Sequence, residues 1–444
     1  MPAKRFSLPR TLKLGTFHIG SAFADLLTSG VLNRILISDL NIAAAPVALL
    51  SALRYLLAPL SIWAGYRSDS RPLFGLHRTP YIWAGRLLML LSLPLLPLIT
   101  VVLAANPLAP GGWLLAVLAF LIYGIGTLIS GSTYLALIRD SAPPARHGLA
   151  LAIVQIFLVV SFPVSAVVYG RLMPIYDQAM FWQLVLFGML MSGGFWLFSL
   201  FGEEQRGAGV QTEDDQQLPF RQLLGEMWAD RRTRAFFLFL ALGAVSAFAQ
   251  DAVLEPFGGD VFGLEAGETT RFNAYWGFGV LISLIGTVLF TRKRHAYEQT
   301  STTVVGLALT ALPLAMLAVV SFMQLQALLV PVLVLFGFGF GIYTVGAVSL
   351  LMAMTSDRRA GAYLGLWSLA QLIFRGIGIF LGGAVRDLVL AFGGSMMLAY
   401  GTVFLLEAIG LFVCIVLLLR VDVPGFARQT RATTPAPGLG AMAD

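Results

Sequence analysis

Charge is scarce in this sequence. Asp, Glu, Lys and Arg make up 12% of its 444 residues, about half the share that a soluble domain carries. Hydrophobic residues make up 58% and the mean hydropathy is +0.82. That balance excludes a soluble globular chain and defines an integral membrane protein. Cysteine is scarcer still. The single one, Cys414, lies in an apolar run, so neither a disulfide framework nor a cysteine metal site is available. Enzyme signatures are missing too: there is no Gly-rich loop ending in Gly-Lys-Ser/Thr, no paired-aspartate prenyltransferase motif, no His-Glu-x-x-His and no Gly-x-Ser-x-Gly. The glycine-rich FGFGFGIYTVGA lies inside an apolar run with no strand before it, so it is no phosphate loop. The expectation is a protein that is not an enzyme and holds no metal centre. Lys4, Arg5, Arg10 and Lys13 open the chain without a small-residue cleavage site behind them, which predicts a retained first helix.

Long apolar runs are abundant. Stretches of about 20 apolar residues, the length a spanning helix needs, fall at about 11–37, 45–65, 80–103, 112–138, 148–170, 180–201, 235–256, 271–291, 301–323, 328–354, 361–385 and 393–420. With the N-terminus inside, 22 of the 29 Lys and Arg residues flank the inner ends, which predicts that both termini are cytoplasmic. Loop topology thus accounts for the net charge of +6, and nucleic acid is excluded as a partner; the lipid bilayer is the certain one. The polar segment 202–234 separates six spans from six and ends in an expected interfacial helix around Phe220 to Trp228. The halves echo each other: SAFAD at Ser21 to Asp25 matches SAFAQD at Ser246 to Asp251, and RHG at Arg146 to Gly148 matches RAG at Arg359 to Gly361. The expected fold is therefore all-α, with twelve transmembrane helices in two six-helix pseudo-repeats, the major facilitator fold with its cavity between the halves. Its parts are an N-terminal bundle over 1–201, the linker 202–234, a C-terminal bundle over 235–423 and a disordered cytoplasmic tail over 424–444.

Ionisable residues inside a membrane are functional candidates. Asp251 and Glu255 stand four apart, which on a helix puts them on one face, with Pro256, Gly258 and Gly259 bending the backbone beyond them. Counted from about Ala235, they lie roughly 24 and 30 Å along the seventh span, in its outer half. Asp25 is equivalent to Gln250 by the repeat offset, and Asn33 and Arg34 lie near the outer mouth. Arg54 is in the second span; Arg375 is in the eleventh, with Gln371 one turn before it. The expected cluster balances Asp25, Asp251 and Glu255 with Arg34, Arg54 and Arg375, either as a substrate site or as a salt-bridge network locking the halves together. Glu407, in the last span, is expected to make a local polar contact. In the loop GYRSDSRPLFGLHRTPYIWAGR, Gly65, Asp69, Arg71 and Arg78 resemble the superfamily's cytoplasmic latch, which Arg146 and Arg359 extend; guanidinium forks would hold the carboxylate there. His18 is the only histidine inside a span and so the candidate ligand for a pigment magnesium, against the alternative of a histidine hydrogen-bonded within the bundle. The glycines of the fourth and tenth spans permit close helix approach.

Three stretches narrow the class. FAQDAVLEPFGGDVFGLEAGETTRFNAYWG at Phe248 to Gly277, GVLNRILISDLNI at Gly30 to Ile42 and GYRSDSRPLFGLHRTPYIWAGRLL resemble the signatures of the PucC/LhaA family, the bacteriochlorophyll delivery family of the major facilitator superfamily. The resemblance runs from about residue 11 to 420. It implies a role in assembling photosynthetic light-harvesting complexes or in delivering bacteriochlorophyll or chlorophyll to them. It also implies light-harvesting or reaction-centre polypeptides and a tetrapyrrole as partners, and a place in a bacterial cytoplasmic or intracytoplasmic membrane. A proton-coupled secondary transporter of another small solute and a pigment-free scaffold remain as alternatives.

Overall fold

The computed structural model describes residues 6–143, 146–204, 231–291, 299–353 and 360–421. Most of the linker with its expected interfacial helix, Arg359 and the tail over 424–444 lie outside the described residues, as does the side chain of Asp69. Eleven helices among the described residues are long and apolar enough to cross a membrane: Ala44–Ser68, Thr79–Ala105, Pro110–Ser141, His147–Leu172, Gln178–Leu200, Thr233–Ala252, Ala266–Thr291, Thr300–Met323, Gln326–Leu351, Trp367–Ala391 and Met396–Val421. These are spans 2 to 12. Span 1 is the helical rod over residues 8–39, and the end at which it begins is called the inner end below.

Span 1 differs from the expected regular helix. A turn at Thr16 separates Leu8–Gly15 from Phe17–Leu26, and two π-helical segments follow, Leu27–Val31 and Ile35–Asp39. The hydroxyls of Thr28 and Ser29 donate to the Asp25 carbonyl at 3.0 and 2.7 Å, competing with the regular backbone ladder there. Span 2 bends where Pro59, lacking an N–H, leaves the Tyr55 carbonyl to a three-residue turn from Ala58. Span 7 breaks at a 3-10 turn, Ala249–Ala252, and resumes as Leu254–Phe262. Pro256 explains the place: its ring would clash with the carbonyl four residues back, that of Ala252, whereas the first turn of a new helix accepts it.

Close backbone approach sets the packing of the rest. Span 10 lies so near spans 8 and 9 that a Cβ at Gly337 would meet the Trp276 carbonyl and one at Gly339 the Leu309 carbonyl. The two halves meet where span 2 packs on span 11 and span 5 on span 8. There Gly376 lies against Tyr55, Gly383 against Ala44, Gly277 against Pro163 and Gly170 against Gly267. Small residues let the helices approach to backbone contact, which is how apolar helices associate in lipid.

Candidate functional site

The three irregular spans carry three of the four central charges, and the regular span 11 carries the fourth, Arg375. Asp25 ends the regular part of span 1, Arg54 sits at the bend of span 2, and Asp251 lies in the 3-10 turn of span 7. At 1.5 Å per residue, Arg54 is about 15 Å in from Ala44, Arg375 about 18 Å from Asp387, and Asp251 about 16 Å from Phe262. All are near the middle of a core about 30 Å thick. Span 7 continues to Phe262, so Asp251, roughly 27 Å along from Thr233 and 16 Å short of Phe262, lies in the outer half, as counting from the sequence places it, but close to mid-depth.

Two ion pairs form there. Arg54 Nη1 lies 3.1 Å from Asp25 Oδ1, which also accepts the Tyr123 hydroxyl at 2.6 Å. Arg375 Nη2 lies 2.8 Å from Asp251 Oδ2. The side chains are 19% and 20% exposed in the first pair, and 32% and 28% in the second, so neither pair is sealed inside its bundle. Tyr55 bridges them: the Arg54 guanidinium lies 4.7 Å and that of Arg375 4.8 Å from its ring centroid, and Arg54 Nη2 donates to its hydroxyl at 2.7 Å. Phe248 supports Arg375 from another side, at 4.0 Å. A small cavity beside the first pair is lined by Thr28, Ser29, Ser51, Arg54, Phe120 and Tyr123.

Other members of the expected cluster go elsewhere. The break in span 7 turns Glu255 away from Asp251: its carboxylate accepts Asn273 Nδ2 at 2.6 Å and Thr270 Oγ1 at 3.3 Å, both on span 8, and it fills the space beside Gly30. The shared helical face expected for Asp251 and Glu255 is not formed. Arg34 forms a direct ion pair with none of the three carboxylates; it pairs with Asp39 at 3.0 Å and donates to the Leu264 carbonyl at 3.0 Å. Asn33 accepts from Ser51 at 3.0 Å. Gln250, the repeat equivalent of Asp25, makes no ion pair, and its neighbour Asp251 takes that role. The Gln250 backbone N–H, freed by the break, donates to Glu407 at 2.5 Å, the local contact expected of Glu407. Gln371 lies half-buried one turn inward of Arg375 and makes no hydrogen bond among the described residues.

At the outer end the halves are joined by polar contacts. Asp260 accepts from Ser38 of span 1, from Arg386 Nη2 at 2.9 Å and from the Tyr400 hydroxyl at 2.5 Å. Asp387 of span 11 accepts the Ala44 and Ala45 N–H groups at 3.0 and 2.7 Å, capping a helix whose own N-cap residue, Ala43, has no side-chain acceptor. Gly267 N–H donates to the Pro174 carbonyl at 2.8 Å. Sequence reasoning missed Asp260, Arg386 and Asp387. Their signal was present as GGD at Gly258 to Asp260 and RD at Arg386 to Asp387, charges beside the outer ends of spans 7 and 11.

The inner end matches the expected latch in part. Arg78 is buried and bonds Asp140 of span 4 at 3.1 Å and Ser68 at 2.8 Å. Gly65 lies within the helix Pro59–Ser70, Arg71 follows that helix, and Arg146 is exposed at the start of span 5. Glu204, unremarked in the sequence, accepts the backbone N–H groups of His77, Arg78 and Thr79 at 2.6, 2.9 and 2.6 Å. Burial opposes its ionisation, but these donors outweigh that and hold its carboxyl below the ordinary 4.5. Glu203 holds Arg10 and Lys13 at 2.6 and 2.8 Å, tying span 1 to the end of span 6.

His18 has a ligand's chemistry without a ligand's room. Both ring nitrogens are buried and without a hydrogen-bond partner, yet Tyr134 and Phe17 pack edge-on to the ring at 5.4 and 5.9 Å. A macrocycle bound through magnesium needs open space beside one nitrogen, so His18 does not fit that role in this arrangement. Arg86, also missed, is 4% exposed and lies over the rings of Phe17 and Trp196 at 4.2 and 4.6 Å, with no carboxylate at ion-pair distance among the described residues. Those residues likewise hold no cluster of three or more metal-binding side chains.

A twelve-span bundle of two six-helix halves is the major facilitator fold. A point mutant of the nucleoside transporter NupG shares the fold at a TM-score of 0.68 and 15% identity, over 94% of this chain and all of that one. The chain belongs to the PUCC protein family, whose profile matches residues 31–426. Among its relatives, the "Bacteriochlorophyll synthase 44.5 kDa chain" of Rhodobacter capsulatus is 31% identical over 89% of this chain and 91% of that protein. "Protein PucC" of the same species is 29% identical over 92% and 91%.

Proposed function

We propose that the protein is a membrane assembly factor for photosynthetic light-harvesting complexes that binds or delivers bacteriochlorophyll or chlorophyll, with both termini in the cytoplasm and light-harvesting or reaction-centre polypeptides as partners. The reading makes it a carrier and not a catalyst. Membership of the PUCC family and the names of its relatives support the photosynthetic setting. One observation carries the site: both mid-depth ion pairs lie within a half, Asp25 with Arg54 in the first and Asp251 with Arg375 in the second. A lock would need a carboxylate of one half on a guanidinium of the other. The contacts that cross between the halves at the outer end join carboxylates to a hydroxyl and to backbone N–H groups, Asp260 to Ser38 and Asp387 to Ala44 and Ala45, and the part-exposed charges at mid-depth are left to meet a ligand. Since His18 does not fit as a magnesium ligand, no step is assigned to the metal of a pigment.

The test is complementation of a phototrophic host lacking the gene. Wild-type protein restores the near-infrared antenna bands of the membranes, and Arg375→Gln restores them weakly at equal protein level. Full restoration by a variant with Asp25, Arg54, Asp251 and Arg375 all neutralised would contradict the reading and favour a pigment-free scaffold. The second reading, a proton-coupled transporter of another solute, draws on Asp25 standing part-exposed between Arg54 and Tyr123. Proton-driven uptake into vesicles, abolished by Asp25→Asn, would favour it.

A further inference from the structure

We propose that Glu255 is a proton-binding site at the contact between the halves: the closed outer end holds it as the neutral acid, and its proton leaves when spans 1 and 7 part there. Burial and donor geometry carry the inference, whichever ligand the mid-depth charges meet. Glu255 is 5% exposed, and its carboxyl fills the space beside Gly30 in the π-helical part of span 1. Asp25, Asp39, Asp251 and Asp260 each have a guanidinium within 3.1 Å. Among the described residues Glu255 has no cation at ion-pair distance, and its hydrogen-bond neighbours are both neutral. Asn273 Nδ2 donates to Oε1 at 2.6 Å. Thr270 Oγ1 lies 3.3 Å from Oε2 but 2.9 Å from the Ala266 carbonyl, and a hydroxyl has one proton to give. Given to the nearer acceptor, it leaves Oε2 and Thr270 Oγ1 as two buried oxygens facing each other with no proton between them. A proton on Oε2 completes that contact, whereas an ionised carboxylate there would be buried without a countercharge.

The charged groups on the elements packed around Glu255 are engaged elsewhere. Arg34 comes nearest, its guanidinium beside Gly259 one turn on from Glu255, and it holds Asp39. Asp260 pairs with Arg386, and Asp251 with Arg375. Glu268 accepts the Glu265 N–H within its own turn, Arg271 packs beside Gly170 of span 5, and Glu407 of span 12 accepts from Gln250. Parting spans 1 and 7 takes Gly30 away from the carboxyl and lets water reach it, so opening the outer end and releasing the proton are linked.

The experiment takes infrared spectra of the purified full-length protein and of Glu255→Gln, which keeps the shape of the neutral acid. Their difference near neutral pH is expected to hold one carboxylic-acid carbonyl band that shifts on exchange into deuterium oxide; any acid common to both, Glu407 included, cancels. Closure is read separately, from the distance between spin labels at Leu108→Cys and Phe392→Cys, exposed outer-end positions in the two halves, in a Cys414→Ser background. From about pH 5 to about pH 9, a range that covers free and buried glutamic acids, a longer distance is expected to gain population in the otherwise wild-type protein. One linked proton raises its ratio to the short distance by up to about tenfold per pH unit. Glu255→Gln is expected to keep the short distance throughout. A difference spectrum without the band would overturn the site. A band whose loss leaves the pH response of the distance unchanged would overturn its link to closure.

Discussion

At the scale of single residues, the central pairs and the buried arginine of span 3 make opposite demands on stability. Removing one partner of the Asp251–Arg375 pair strands the other charge near mid-membrane, which costs more than the pair itself contributes. Asp251→Asn and Arg375→Gln are each expected to lower the thermal midpoint, and the double variant less than the sum of the two. A double-mutant cycle read by thermal unfolding in detergent tests this, and strict additivity would contradict the direct contact. Arg86 should behave in the other direction. It has aromatic neighbours but no carboxylate at ion-pair distance among the described residues, so Arg86→Met, of similar volume, is expected to be neutral or stabilising by about 1–4 kcal/mol; a clear fall in the midpoint would show that more distant charge outweighs the cost of burying the guanidinium. At Gly30 an added methyl would press on the Glu255 carboxylate, and Gly30→Ala should destabilise by about 1–3 kcal/mol. Asp25, Arg54, Asp251 and Arg375 were legible in the sequence because charge is rare in apolar runs. Who pairs with whom was not: Arg34 stands nine residues from Asp25, about 13 Å further along the span, and its partner is Asp39 at the outer end of the same span.

At the scale of elements, the informative features are breaks and caps. The four-residue spacing of Asp251 and Glu255 reads as one face only if the helix is regular, and Pro256 makes it irregular upstream of itself, where a sequence reading places the bend downstream. Caps supplied from elsewhere in the chain are similarly invisible: nothing near Ala44 announces that Asp387, 343 residues away, will accept its N–H. The cap on span 3 gives a pH test. The Glu204 carboxyl is held below its ordinary 4.5 in the folded protein. Its contribution is therefore complete above about pH 4.5 and is lost as pH falls through the lower folded value. Glu204→Gln is expected to lower the thermal midpoint at pH 7 by the equivalent of about 0.5–2 kcal/mol, the worth of a helix cap. The gap between wild type and variant should then narrow below pH 4.5; a constant gap across that range would contradict the assignment.

At the scale of the whole molecule, two kinds of contact divide the labour. Close glycine packing between spans 2 and 11 and between spans 5 and 8 joins the halves along their length, and the Asp260 and Asp387 contacts close the outer end. The twelve apolar runs and the repeat were readable directly, since length and hydropathy suffice for them; the outer closure depends on how the halves meet and was not. If it is a working seal, cysteines at Ser38 and Asp260 in a Cys414→Ser background should cross-link under mild oxidation and stop antenna assembly until reduced. The central claim is that mid-depth charges in this bundle handle pigment. Its most direct test is the absorption spectrum of the protein purified gently from a phototrophic host, beside an Asp251→Asn, Arg375→Gln variant. The account predicts stoichiometric red or near-infrared pigment bands that weaken in the variant, whereas a folded, colourless wild-type protein would contradict it.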